Sequence, residues 1–370
     1  MLKFGMFPIV KTAESIVRQL VKILVDVQER LVQMHKLSLC LIFMIPILLC
    51  SCKEELEFKL DITDARFDSE IRLQDEQSVG FPSSMSVVDN QCFVICTEDQ
   101  VYLYENGRQT VKIGRKGRAE YEYLLPMIVR TDGNKIYVWC AMRLKFIVYT
   151  LDGTPCGEYD YHNAVADFAI LDDHICIYNT GRNDKHVIDM YNLNEAKVVH
   201  SFGDYPSIEH KTLLKLHSIN PMSMSNGVIY FTHKDDLTTY VYDLETYSLK
   251  EKYDIRSNIF LVTPKLPTID DLSYIDSNSC AVLISPKIEG FTLITADGIY
   301  EREDGRVIEN NRYYSIYSII GDNTEYKGSL SASSLGDPAL FSIHDDKLYY
   351  VYHNIENDED SYSIRTIKLD

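Results

Sequence analysis

Positive charge is scarce in this chain of 370 residues: 37 Lys and Arg stand against 55 Asp and Glu, for a net charge of −18. The deficit deepens after residue 51, where 31 basic residues face 52 acidic ones, a balance of −21. A surface of that sign repels phosphate backbones and anionic bilayers, which basic proteins bind by releasing counterions, so nucleic acid is not an expected partner. Long apolar runs are also missing. The run at 37–50, LSLCLIFMIPILLC, has fourteen residues, too few to cross a hydrocarbon core of about 30 Å. There is no CxxC and no Cys/His spacing of the kind that holds zinc. Gly114 and Gly117 open no phosphate loop, because neither G-x-x-x-x-G-K-[ST] nor G-x-G-x-x-G occurs. H-E-x-x-H, G-x-S-x-G and EF-hand spacings are likewise absent, and Glu209-His210 followed by His217 has the wrong interval for zinc ligands. No cofactor, metal or catalytic set is therefore expected from motifs. Hydrophobic content of 45% and charged content of 25% exclude a collagen-like, coiled-coil or wholly disordered chain.

What is present begins with the apolar run itself, which has the size of a signal-peptide core. It ends in Leu49-Cys50-Ser51-Cys52, which resembles a bacterial lipobox and makes Cys52 the candidate lipid attachment site. Lys53, Glu54 and Glu55 follow, and this Lys with two acids resembles the signal that sends Bacteroidota-type lipoproteins to the outer cell surface. A start at Met34 would give a signal peptide over 34–51 and leave 1–33 as a surplus leader or a misassigned start. Residues 52–64 then form a charged tether. A chain held by a lipid is anchored to the membrane rather than spanning it, so the expected location is the outer membrane, cell-surface exposed or otherwise periplasmic. Six cysteines remain beyond this segment (Cys92, Cys96, Cys140, Cys156, Cys176, Cys280). Most of them lie in apolar runs, which favours buried core thiols over a disulfide framework.

The body of the chain repeats. A unit of apolar strand, short polar turn and apolar strand recurs at 85–96, 127–140, 167–179, 221–233, 272–285 and 340–353. The turns are rich in Asp, Asn and Gly, as tight hairpins require. A third strand follows each copy (101–105, 146–150, 187–192, 239–244, 291–295, 361–367), and turn signals at Asn106-Gly107, Asp152-Gly153 and Asp297-Gly298 suggest a fourth. Four antiparallel strands repeated about an axis make a β-propeller blade. The last copy has no room for a fourth strand before Asp370, and the stretch 70–74 ahead of the first copy is placed to supply it. The expectation is one all-β, six-bladed propeller domain over 65–370. A seventh blade is the alternative if 305–337, with YYSIYSII at 313–320, forms a diverged copy.

This arrangement resembles the six-bladed, TolB-like β-propeller lipoproteins of Bacteroidota. The segment Ile113-Gly114-Arg115-Lys116-Gly117-Arg118-Ala119-Glu120-Tyr121 is similar to the Gly-rich stretch that closes their first blade. It has Arg118-Ala119 where Gly-Pro is usual. The resemblance implies a surface or periplasmic protein. Long connections on a rigid scaffold are where function sits, and here they are 113–126, 204–220, 256–271 and 305–337. The first carries Arg115, Lys116, Arg118, Tyr121 and Tyr123, while Arg143 and Lys145 fall in the second–third hairpin of the next blade. These seven residues are the candidate ligand rim, for an acidic or sugar-like partner; the competing reading is a solvated loop with blade-packing tyrosines. The expected function is a binding module for a glycan, peptide or protein. The alternative is a propeller enzyme, glycan-cleaving or lactone-hydrolysing, with its site in the central channel.

Overall fold

The computed structural model describes residues 62–64, 66–74, 81–179, 185–204, 222–233, 237–255, 257, 280–303, 306–335, 340–356 and 359–369, and Lys22 apart from them. The signal segment, Cys52 and Lys53 to Glu55 lie outside the described residues, as does most of the connection at 204–220.

Each apolar repeat becomes one sheet. Blade one is Pro82–Asp89, Cys92–Thr97, Val101–Glu105 and Arg108–Ile113, hydrogen-bonded in chain order. Blade two is Pro126–Thr131, Lys135–Cys140, Lys145–Thr150 and Pro155–Asp160, and blade three is Val165–Leu171, His174–Asn179, His186–Asn192 and Lys197–Asp204. Blade four is Met222–Ser225, Val228–Thr232, Thr238–Asp243 and Leu249–Asp254. Blade five is Cys280–Pro286, Phe291–Glu303, Arg306–Ile320 and Asn323–Ser331. Blade six takes Phe341–His344, Lys347–Glu356 and Glu359–Lys368 from the end of the chain and its fourth strand, Ser69–Arg72, from the start.

Burial follows position in the blade. A second strand such as Cys92–Thr97 (CFVICT) is buried throughout, because both its faces meet a neighbouring sheet. The outer strand Arg108–Ile113 (RQTVKI) alternates exposed and half-buried residues up to a buried end. Each first strand touches the first strand of the next blade, and the sixth touches the first, so these strands ring the axis. Six apolar clusters sit between adjacent blades, one per junction around the ring. No blade buries its faces alone, so the ring is the cooperative unit.

Closure depends on the early strand. Glu70 pairs with Arg365 and Ile71 with Ile364 in antiparallel register. The Glu70 carboxylate accepts from Ser363 Oγ and Arg365 Nε, both at 2.7 Å. The Arg365 guanidinium also lies 3.5 Å from the Tyr352 ring centre and 4.5 Å from that of Phe67. Leu73 then enters the cluster between blades six and one, against Met85, Phe93, Tyr349 and Ile364. Just upstream, Ile62–Thr63 lies parallel to Ser329 and Leu330 on the outer edge of blade five.

Outer edges are the exposed liability of a propeller. In blades one to five the fourth strand carries one extra residue against its neighbour: Thr110, Cys156, Val199, Lys250 and Lys327. Such bulges interrupt the regular edge ladder onto which another strand could add. Inside, the buried carboxylate of Asp189 in blade three is satisfied by three donors: Tyr161 Oη at 2.6 Å, Asn179 Nδ2 at 3.1 Å and Ser201 Oγ at 2.6 Å. A buried carboxylate is tolerable only on such terms.

Blade five departs from the sequence reading. Cys280–Pro286 is its first strand, not its second, and Phe291–Glu303 its second, not its third; the stretch 272–275 is outside the described residues. Asp297-Gly298 makes no turn, because Asp297 is buried within the second strand, accepts from Thr295 Oγ1 at 2.7 Å and sits opposite Tyr313. Most of 305–337 is neither a connection nor a seventh blade: it forms the third and fourth strands of blade five, followed by the single helical turn Ala332–Leu335. The count is six.

Candidate functional site

Antiparallel order puts the second–third hairpins and the blade-to-blade connections on one face, here called upper, and the first–second and third–fourth turns on the lower face. The connection at 114–125 is described throughout. It starts at Gly114, whose φ of +60° and position under the Tyr149 hydroxyl, where a Cβ would come within 2.4 Å, leave room for no side chain. The loop folds on itself: Gly117 N donates to Tyr123 O at 3.0 Å and Tyr123 N to Arg115 O at 3.1 Å. Tyr123 is fully buried between blades one and two. Its hydroxyl donates to Ile113 O at 2.7 Å and accepts from Val101 N at 3.2 Å, and burial pushes its pKa far up. It is a packing tyrosine and belongs under the rim, not on it.

The basic residues converge, but on acids of this same chain. Glu158, on the outer strand of blade two, accepts from Arg143 at 3.1 Å, from Lys145 at 2.5 Å and from the Tyr121 amide at 2.6 Å. Burial raises the Glu158 pKa, yet Lys145, the Tyr121 amide and Arg143 outweigh it and hold the carboxyl below its ordinary value. Lys145 also pairs with Asp160 at 3.2 Å. Arg143 donates further to the carbonyls of Ala119, at 2.8 Å, and Glu122. Arg115 pairs with Glu122 at 2.5 Å, and Lys116 pairs with Asp99. Glu122 in turn accepts from the Ala119 amide at 2.7 Å, the largest cause of its lowered pKa.

This network pins strained backbone. Tyr121, Leu125 and Leu144 have φ of 57°, 54° and 54°, a region bulky residues avoid. Tyr121 is fixed on both sides, its amide by Glu158 and its carbonyl by the Tyr149 hydroxyl at 2.6 Å. Cys140 Sγ lies 3.0 Å from Leu124 N and 2.8 Å from Leu124 O, and Ala141 N donates to Leu125 O at 3.2 Å, so the hairpin of blade two is tied to the loop.

Of the seven candidates the structure thus brings six to one upper rim and places Tyr123 beneath it. Arg118 alone among the five basic ones makes no ion pair among the described residues. Sequence reasoning missed Glu122, Glu158 and Asp99, which pair with Arg115, with Arg143 and Lys145, and with Lys116, and the exposed apolar side chains of Met142 and Leu144 on the tied hairpin and of Met127 on the first strand of blade two.

Toward the axis, Arg130 on the first strand of blade two donates to Asp167 of blade three at 2.6 Å and to Ser84 of blade one at 3.4 Å. Burial pushes the Asp167 carboxyl up, against the pull of Arg130. These polar groups are spent on joining three inner strands. Among the described residues no three His, Cys, Asp or Glu side chains are grouped to hold a metal ion.

Residues 61–275 match a family model described as a 6-bladed beta-propeller. Solved structures of similar fold include a protein from Bacteroides fragilis NCTC 9343 described as exported, 14% identical, with a TM-score of 0.56 over 83% of this chain and 98% of that one. Another is a member of the duf4221 family from Bacteroides vulgatus ATCC 8482, 11% identical, with a TM-score of 0.54 over 81% of this chain and 96% of that one. At such identities the likeness speaks to fold alone. No curated protein matches the sequence.

Proposed function

The chain belongs to the 6-bladed beta-propeller family DUF5128, and from that premise we propose that it is a lipid-anchored, extracytoplasmic binding module whose contact rim lies over the junction of blades one and two. The observation that carries this is the ordered loop itself: strained backbone is held at Tyr121 by Glu158 and Tyr149, at Leu125 by the Ala141 amide and at Leu144 by the Tyr161 amide, while Arg118, Met127, Met142 and Leu144 stand exposed around it. A rim that is rigid before binding loses little entropy when a partner docks. Arg is a frequent source of binding energy in interfaces, and Met adapts to irregular apolar partners. With Arg115, Lys116, Arg143 and Lys145 neutralised internally, the remaining chemistry suits a protein or peptide with an apolar anchor beside a carboxylate, more than a polyanionic sugar. Toward the axis, Arg130 is bonded to both Asp167 and Ser84, which favours a binding role at the rim over catalysis in the channel. The anchor at Cys52 and the surface address in Lys53, Glu54 and Glu55 complete the reading.

The test is a titration of acidic peptides bearing one aliphatic or aromatic anchor, with uronate oligosaccharides in parallel, against the wild type and the variant Arg118→Glu/Met142→Glu. Peptide affinity is expected to fall about tenfold or more, with the melting temperature unchanged because both side chains are exposed. Equal affinities in the two proteins would contradict the assignment, and tight oligosaccharide binding by both would move the site elsewhere.

A further inference from the structure

On the lower face the first–second turns of five blades are polar. They carry Asp89-Asn90, Asp132-Gly133, Asp172-Asp173, Asn226-Gly227 and Asp345-Asp346. Blade five breaks the rule: its turn reads Lys287-Ile288-Glu289-Gly290, and Ile288 is 103% exposed. Ile320, at the mouth of the next turn of the same blade, is 50% exposed, and Leu249 on the neighbouring lower edge of blade four is 49% exposed. The Ile288 tip is not a loose loop. Lys287 N donates to Gly290 O at 3.0 Å, Lys287 Nζ reaches Leu369 O at 3.4 Å, and Gly290, with φ of +80°, lies so close to the Ile319 carbonyl that a Cβ there would stand 1.8 Å from it. A hairpin fixed by these contacts therefore holds an isoleucine out into solvent.

The chain also enters on this blade. Ile62–Thr63 runs parallel to the upper part of Asn323–Ser331, opposite Ser329 and Leu330, and that strand rises from the lower turn at Gly321-Asp322, so the N-terminal end of Ile62 faces the lower side. Ten residue steps separate Ile62 from Cys52, a reach of at most about 35 Å.

We propose that the lower rim of blade five, led by Ile288 and Ile320, rests on the lipid surface to which the protein is anchored, leaving the upper rim turned away from the membrane. The inference rests on the reading of Cys52 as the lipid-bearing residue. Two isoleucines bind a bilayer too weakly to act alone, but a tether that short keeps them at high effective concentration beside it. The acidic lower turns make a zwitterionic surface the fitting partner and an anionic one unfavourable.

The experiment uses the full acylated chain on phosphatidylcholine vesicles whose acyl chains are brominated near the headgroup, with Ile288→Trp compared with Met142→Trp on the opposite face. Trp139, buried in blade two, gives the same background in both. Emission from the tryptophan at 288 is expected to fall about twofold on brominated vesicles, while that at 142 stays unchanged, as for a side chain that sits at the headgroup boundary. Flotation with the vesicles and the mass of the Cys52 peptide report the anchor separately. Vesicle-bound protein whose tryptophan at 288 is unquenched, or which is quenched at 142 instead, overturns the inference and leaves the anchor standing. A chain without lipid on Cys52 that does not float overturns both.

Discussion

Replacing Leu73 with aspartate is expected to lower the melting temperature by about 10 °C or more, or to prevent folding altogether. Leu73 is buried where blade six meets blade one, and its amide donates to Tyr362 O at 2.9 Å, so the residue is both a ladder member and a core side chain. Losing the apolar side chain costs about 2–3 kcal/mol, and a carboxylate left there without a partner adds several more. In a domain of this size each kcal/mol moves the midpoint by roughly 2–4 °C. Arg72→Ala is the matched control: Arg72 is exposed and its contact to Ser361 Oγ is long, at 3.5 Å, so a change under about 0.5 kcal/mol is expected. Thermal denaturation followed by circular dichroism checks both. If the Leu73 variant melted like the wild type, the early strand would not be part of the core.

Glu158→Gln is expected to cost about 1.5–3 kcal/mol, because it removes the carboxylate charge from Arg143 and Lys145, both largely covered, and leaves Lys145 only Asp160 and Arg143 only backbone carbonyls as strong partners. The pH dependence gives the same group a second signature. Its carboxyl is held below the ordinary 4.5 in the folded state, so its stabilisation is present above about pH 4.5 and is lost as the pH falls through the lower folded value. The wild type should therefore lose stability on acidification below that point, and the Gln variant should lose less over the same window. Urea denaturation at pH 7 and at pH 3 measures the difference. Because Glu158 also holds the Tyr121 amide, the variant should loosen the upper rim and weaken peptide binding even where the domain stays folded.

The regular part of this architecture was legible in the sequence for physical reasons. Hairpins such as Met85 to Cys96 and Met127 to Cys140 alternate over short distances and are punctuated by Asp, Asn and Gly, and the spare stretch at 70–74 had one place to go once the last copy proved a strand short. The structure puts it there, opposite Arg365 and Ile364. Blade five was misread because its second and third strands run to 13 and 15 residues, longer than the repeat, and because Asp297-Gly298 has the composition of a turn while Asp297 is in fact a buried acceptor for Thr295. Of the rim, the sequence showed the basic residues and not what holds them. Local spacing brought Arg115, Lys116, Arg118, Tyr121, Arg143 and Lys145 together, but their acceptors could not be recognised: Glu158 lies 37 residues from Tyr121 along the chain on a strand whose register no local pattern fixes. Tyr123 differs from Tyr121 by two positions in sequence and by everything in environment, since one is buried beneath the loop and the other is clamped within it.

The most direct test of the closed ring joins its two ends. Ser69 and Thr366 face each other with hydroxyls 2.5 Å apart, and directly opposed residues of an antiparallel pair are within disulfide range. In the double variant Ser69→Cys/Thr366→Cys, with Cys156→Ser removing the one exposed native thiol among the described residues, oxidation should give one cross-linked peptide pair in nearly all molecules, without loss of folded structure. Folded protein whose two new thiols stay free, or pair elsewhere, would contradict the account.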